Sequence, residues 1–278
     1  MIRFVAAACT LRNVLVLSFS TSIVACGALK SGSAGNEFVR SCSDSDLNSK
    51  SVLYFGPSNQ LGPGSVWIKL GVNGGYQPQW RVSDLGLAES IVQPGAAFSC
   101  TVSGQSQLTA DAGLSVLSKV SNVSADLKSD FSRARSIQVS STQAAWDTLI
   151  AGPFAVGVDG IKDGAIRADV LSSNRLVMRR ALKLKNYKAV LDFDSSVKPE
   201  MQAKYSDKVL SSSMVGDVGA QLSATWTRDG KLELTATGDI YVAGEFAPLL
   251  KGRIAAGRGE ESIEDLGDKY TRPYQSRK

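Results

Sequence analysis

Histidine does not occur anywhere in the 278 residues. That absence removes the side chain most often used for proton transfer near neutral pH. Ser-His-Asp and Cys-His nucleophile systems go with it, as do zinc sites built on imidazole. Long apolar runs are also missing. The longest mostly apolar stretch, Val14 to Leu29, is sixteen residues and is interrupted by Ser18, Ser20, Thr21 and Ser22. A membrane-spanning helix needs about 20. Blocks of one charge are absent as well: the net charge is +5, with Lys and Arg spread along the chain. Nucleic acid is therefore not an expected partner.

The amino terminus has what the rest lacks, a concentrated signal. Arg3 and Arg12 make it positive with no acidic residue, and a mostly apolar run from Val14 to Ala25 follows. It ends in Ile23-Val24-Ala25-Cys26-Gly27. A positive start, a short apolar stretch and small residues at its end read as a secretory signal. With a cysteine directly after the small residue, this segment resembles the lipobox of bacterial lipoprotein precursors, with Ile23 where Leu is commoner. The resemblance covers only this segment. It implies cleavage before Cys26, lipid on that cysteine, and export to a membrane. Gly27 rather than Asp after the cysteine resembles lipoproteins sorted to the outer membrane, facing the periplasm, in a Gram-negative host.

Cysteine is scarce, at four residues. Cys9 would leave with the signal and Cys26 would take lipid, so Cys42 and Cys100 remain. In an oxidising compartment two cysteines suggest one disulfide. It would close a loop of about sixty residues, with roughly 4 kcal/mol expected from loop entropy. Two unpaired, small apolar side chains are the alternative.

The sequence divides into a signal at 1–25, a lipidated cysteine and Gly/Ser-rich tether at 26–50, a β-rich globular part at 51–250, and a charged tail at 251–278 expected to be disordered. The tether would span roughly 20–30 Å. Within it, Asp44-Ser45-Asp46-Leu47-Asn48 opens like a calcium loop, but Ser49 stands where glycine is required and Phe55 where glutamate is. No metal and no cofactor is expected.

Alternation of apolar residues predicts two hairpins, 65–82 and 220–236. In the first, a loop at Asn73-Gly74-Gly75 pairs Val72 with Tyr76, Leu70 with Pro78, Ile68 with Trp80 and Val66 with Val82. All eight side chains then share one face. Pro78 cannot donate to a ladder, which places its strand at a sheet edge. In the second, a loop at Arg228-Asp229-Gly230 pairs Trp226 with Leu232 and Ala224 with Leu234. Ser51–Phe55 and Ala96–Val102 read as strands, Gly56-Pro57 as a turn, and Ile240 with Val242 as a further strand. Val123 to Leu127, then Ile137 and Val139, also read as strand. Ser141-Thr142 to Ala151 reads as a helix stopped by Gly152-Pro153. A shorter helix begins near Pro199 with Met201, Tyr205 and Val209 one turn apart. From 174 to 194 the chain is basic: Leu176, Met178, Leu182 and Leu184 fall on one strand face, and Arg179, Lys183 and Lys185 on the other. That second face suits either solvent or anionic lipid headgroups.

Catalytic motifs are thin. Ser195-Ser196-Val197-Lys198 matches Ser-x-x-Lys, yet the accompanying Lys-Thr-Gly and Ser-Asp-Asn are missing. Asp192 and Asp194 share a strand face at a spacing common for solvated acids. The expected fold is α+β, predominantly antiparallel β with a few short helices, in one compact domain. The expected function is a membrane-anchored envelope lipoprotein with a structural or adaptor role and an envelope protein partner, not an enzyme. The first alternative is a membrane-active or pore-forming β-rich protein. The second is an enzyme on envelope polymers using Ser195 and Lys198.

Overall fold

The structure is a computed structural model that describes residues 42, 52–70, 75–99, 117, 122–255 and 274. Among them the chain forms β1 (Val52–Ser58), β2 (Val66–Lys69), β3 (Tyr76–Trp80), β4 (Val92–Gln93), β5 (Ala97–Phe98), α1 (Ala125–Ser132), β6 (Ala134–Ser140), β7 (Gln143–Leu149), α2 (Ala151–Asp159) and α3 (Gly164–Val170). There follow β8 (Arg175–Lys185), β9 (Lys188–Phe193), α4 (Lys198–Tyr205), β10 (Lys208–Leu210), α5 (Ser212–Val215), β11 (Leu222–Trp226), β12 (Leu232–Ala236), β13 (Ile240–Leu250) and β14 (Arg253–Ile254). The pairing is antiparallel throughout, in a nine-stranded and a five-stranded sheet. This is the β-rich α+β class that the sequence predicts.

The larger sheet follows the order β1-β13-β8-β2-β3, and β7 pairs β8 beyond the end of β2. The smaller sheet follows β10-β11-β12-β9-β6. The two are joined by strands that run from one into the other. Ser140 opposes Lys188 in the small sheet, and Gln143 opposes Lys185 in the large one. Between them Asn186 takes a positive φ of 53°, and its Nδ2 donates to Thr142 Oγ1 at 2.9 Å. The Ser141 hydroxyl donates to the Lys185 carbonyl at 2.6 Å. These bonds satisfy the bend, so one antiparallel ribbon crosses from sheet to sheet. β12 continues into β13 in the same way, turning at Gly238 with φ 85°.

The hairpin 220–236 has the predicted register, Trp226 to Leu232 and Ala224 to Leu234. Its strands have one buried face, so alternation specifies register. The hairpin 65–82 does not. Lys69 opposes Tyr76, Ile68 opposes Gln77 and Val66 opposes Trp80, with an irregularity between Val66 and Trp67. Both faces are covered there. Val66 packs with Trp80 and Leu149, whereas Trp67 packs with Phe55, Tyr76 and Phe246. Alternation carries little register information when either face is apolar. β3 does end its path, as Pro78 requires.

Two helix assignments are exchanged. The stretch predicted as helix, 141–151, is strand β7, and Gly152-Pro153 lies inside the first turn of α2 instead of stopping a helix. β7 is buried on both faces between β8 and the short β4 and β5, and an apolar run of this kind mimics helical spacing. Proline is tolerated in a first helical turn, where its missing N–H has no intrahelical partner. Conversely, part of the predicted strand 123–127 is the start of α1, because Ser124 Oγ accepts from Leu127 N at 3.3 Å and caps a helix. Gly56-Pro57 is not a turn either. It is an irregularity within β1, with Gly56 at φ 82°.

β8 corrects a further expectation. Leu176 and Met178 lie in one core with Trp67 and Phe246, while Leu182 and Leu184 lie in another with Trp146 and Val242. A bulge opposite Glu245 and Phe246 inserts a residue near Arg179 and turns the following side chains to the other face.

Two residues from the predicted tether and tail are core residues. Cys42 is 1% exposed, is disulfide-bonded, and its carbonyl accepts from Trp146 Nε1 at 3.4 Å. Tyr274 is 4% exposed and donates its hydroxyl to Asp84 Oδ2 at 3.1 Å. The Arg81 guanidinium lies 5.6 Å from its ring centroid. Arg81 and Asp84 form an ion pair at 2.7 Å. Burial alone would push the Asp84 carboxyl up, but its bonds to Arg81 hold it below the usual range.

Candidate functional site

The five-stranded sheet has two chemically distinct faces. On β9, Ala189, Leu191 and Phe193 are buried while Lys188, Val190 and Asp192 are half-exposed. Cross-strand pairs keep the division. Leu232 opposes Leu191, Leu234 opposes Ala189, and Ile137 opposes Leu191. On the other face Ser136 opposes Asp192, Thr235 opposes Lys188, and Thr225 opposes Glu233. Lys188 Nζ reaches Glu233 at 2.5 Å across that polar face. The apolar core continues past the bend to Ala144, Trp146, Leu182, Leu184 and Val242 in the large sheet.

Short helices cover the apolar face. α1 contributes Leu127 and Phe131, α4 contributes Met201 and Tyr205, and α5 contributes Val215. Each fully buried side chain of this size contributes roughly 1.5–3 kcal/mol. α1 is capped by Ser124 and α4 starts with Pro199 in its first turn. Asp130 joins the two helices. Its Oδ2 accepts from the Tyr205 hydroxyl at 2.5 Å and meets Lys204 Nζ at 2.5 Å. Phe131 and Tyr205 meet edge to face at 5.5 Å. Arg133 and Glu200, 2.9 Å apart, close the exposed side of the pair. Burial first, and the bond to Asp130 second, push the Tyr205 phenol far above its ordinary value. Within this core, Tyr187 Oη and Trp226 Nε1 are buried without a hydrogen-bond partner among the described residues. Such a group costs about 1–3 kcal/mol until it meets water or a partner.

Where the ribbon enters the large sheet it carries buried charge. Asp147 on β7 is 2% exposed and accepts from Tyr241 Oη at 2.8 Å and Gly95 N at 3.0 Å. Lys183 Nζ lies 2.7 Å from it. Arg179 NH2 pairs with Glu245 at 2.8 Å, and the Arg180 guanidinium stands 5.8 Å from the Trp146 ring centroid. Arg179 and Lys183 are thus tied to buried acids, and only Lys185 of the predicted cationic trio is exposed. The three do not make one open basic face.

Cys26 and Cys100 lie outside the described residues. Ser195 is exposed in the turn before α4, and Lys198 extends away from it over Gly230, where a Cβ would stand 3.1 Å from its Nζ. Serine and lysine are not brought together for proton transfer. Asp192 and Asp194 both serve Arg135, at 2.8 and 3.6 Å. A cleft of about 640 Å³ is lined by Asn59, Gln60, Val82, Ser83, Pro94 and Tyr241, and its one phenol already serves Asp147. Among the described residues no cluster of three metal-binding side chains occurs, and no helix is long and apolar enough to cross a membrane. Sequence reasoning found Tyr205 by its helical spacing from Met201. It missed Asp130 and Asp147, which look like ordinary surface acids until α4 and β8 are placed over them.

No protein-family model and no curated protein matches the chain. Among solved structures it is similar to a bacterial gasdermin from Bradyrhizobium tropiciagri, at 16% identity and a TM-score of 0.44, over 82% of this chain and 94% of that one. The expectation of a structural adaptor is corrected here. Cys42 and Tyr274, which that expectation placed in a free tether and a free tail, are packed in the core.

Proposed function

We propose that this protein is a non-enzymatic, membrane-active β-rich protein of the pore-forming kind, exported and held at a membrane by lipid on Cys26. The carrying observation is the two-faced antiparallel sheet whose apolar face is covered by short helices. At a TM-score of 0.44 the gasdermin likeness adds no weight to it. A sheet spans a lipid bilayer only if one face is apolar and its strands reach about 9–11 residues. β8 and β13 are each eleven residues long, and the small-sheet strands continue into them across the bend. With α1 and α4 lifted, Ile137, Leu191, Leu232 and Leu234 form a lipid-compatible face, while Gln138, Lys188, Glu233 and Thr235 stay on the wet side. Lifting the cover also opens the buried Trp226 Nε1 to water.

The direct test is release of a trapped dye from liposomes by the purified protein. Leakage that rises with protein concentration, and that Leu234→Lys abolishes, supports the proposal. Intact vesicles at high protein concentration overturn it. The anchor is checked separately: the membrane-extracted protein should carry acyl mass on Cys26, and Cys26→Ser should lack it.

A further inference from the structure

Helix α2 has no charged residue before Asp159, and from Ile150 through Val158 every residue is apolar or glycine. A helix that is apolar all round is normally enclosed all round. Here only one side is enclosed. Phe154 and Val158 are buried against Val66, Leu149, Val177 and Leu249. The outer side is bare, with Val156 74% exposed and Ile150 37% exposed. Pro153, also exposed, lies between them. Spacing by three aligns Ile150, Pro153 and Val156 in one stripe.

Cations gather where that stripe ends. Arg253 NH2 approaches Asp159 at 3.8 Å with its side chain 74% exposed, and Arg167 approaches the same carboxylate at 4.0 Å. The turn carrying Lys251 lies on α2, since a Cβ on Gly252 would stand 2.9 Å from Val158 Cγ1. Lys162 and Lys251 are exposed. The acids of this corner are already engaged. Asp159 is shared by two arginines, Asp163 caps α3 through Ala165 N at 2.8 Å, and Asp169 holds Arg175 at 2.7 Å. The result is an apolar line bordered by Lys162, Arg167, Lys251 and Arg253, with Asp159, Asp163 and the Arg175-bound Asp169 as the acids near them in sequence among the described residues.

We propose that the outer stripe of α2 is a docking surface for an anionic bilayer, with Val156 in the headgroup–acyl boundary and the four cations on lipid phosphates. A protein partner would cover Val156 as well, but charge complementarity decides for the bilayer: shallow apolar insertion beside Lys and Arg is how interfacial helices bind anionic lipid. The surface is separate from the covered sheet. It rests on the membrane-active reading only for its target, and it names the part of the chain that meets the membrane first.

The test is flotation of the purified protein with vesicles of equal parts phosphatidylcholine and phosphatidylglycerol, against phosphatidylcholine alone. Three proteins are compared: wild type, Val156→Asp, and Lys251→Glu/Arg253→Glu, each with its thermal transition checked. Val156 is exposed, so its replacement should leave that transition in place. Wild type should bind the anionic vesicles at least about tenfold more tightly than the neutral ones, and less tightly as salt rises. Val156→Asp should lose about tenfold. The double charge reversal should lose roughly twentyfold or more, at about fivefold per basic residue. Flotation of Val156→Asp equal to wild type overturns the assignment. Dye leakage keeps the two proposals apart. A wild type that floats through α2 without leaking leaves docking intact and removes the pore. A Val156→Asp variant that floats and leaks like wild type removes docking and leaves the pore. No flotation and no leakage by wild type removes both.

Discussion

Replacing Asp130 by Ala tests whether α1 and α4 form a cover held by one carboxylate. The substitution deletes the acceptor of the Tyr205 hydroxyl, 2.5 Å away in a buried site. A buried donor left without a partner costs about 1–3 kcal/mol. The contact with Lys204, whose side chain is 41% exposed, is screened by solvent and is left out of the magnitude. The expected loss is therefore about 1–3 kcal/mol. If the loss falls on local opening of the cover rather than on global unfolding, the opened population rises about 5- to 150-fold. Amide hydrogen exchange at Leu127–Phe131 and Met201–Tyr205 reads that change directly, and dye leakage reads its consequence at lower protein concentration. Tyr205→Phe on its own should cost less. The double variant should cost less than the two single losses added, since neither partner is then stranded. Unchanged exchange in Asp130→Ala refutes the clasp. Faster exchange with unchanged leakage refutes its link to membrane activity.

Lys183→Ala leaves Asp147 buried with Tyr241 and Gly95 as its remaining partners among the described residues. A loss of about 3 kcal/mol in urea unfolding is expected, the low end for breaking a buried pair, whereas Asp147→Leu with Lys183→Met should recover most of it. Gly95→Ala would set a Cβ 2.2 Å from the Trp146 carbonyl oxygen. Backbone cannot yield there, so about 3 kcal/mol should be lost, while Gly164→Ala, with open space around its Cβ, should gain about 0.5–1 kcal/mol. Burial holds Tyr187, Tyr205 and Tyr241 protonated far above the ordinary value of 10.0, with Tyr54, Asp130 and Asp147 respectively adding to the effect. The unfolded chain releases these protons near pH 10 and the folded chain does not, so their contribution is complete below that pH and is lost as pH rises beyond it. A urea midpoint that stays level from pH 9 to 11, or tyrosinate absorbance showing all seven tyrosines titrating while the protein is folded, contradicts this.

Legibility in the sequence followed the number of buried faces. The hairpin at 220–236 was readable because water touches one side of the small sheet, and its pattern of Leu, Ser, Ala and Thr records which side. β2, β7 and β8 sit in the large sheet with apolar neighbours on both faces, so register, strand against helix, and the bulge at Arg179 left no period to read. The same limit hid the candidate site. Met201 and Tyr205 announced an amphipathic helix, but nothing local marks Asp130 as the group that helix closes upon. The absence of histidine, the lipobox-like amino terminus and the antiparallel β character were determined by sequence alone, because composition and short-range periodicity suffice for each. Tertiary structure alone decided that Cys42 and Tyr274 belong to the core, that Arg179 and Lys183 answer buried acids, and that α2 faces outward without charge. Those are consequences of which elements pack together, and packing partners far apart in the chain leave no local trace.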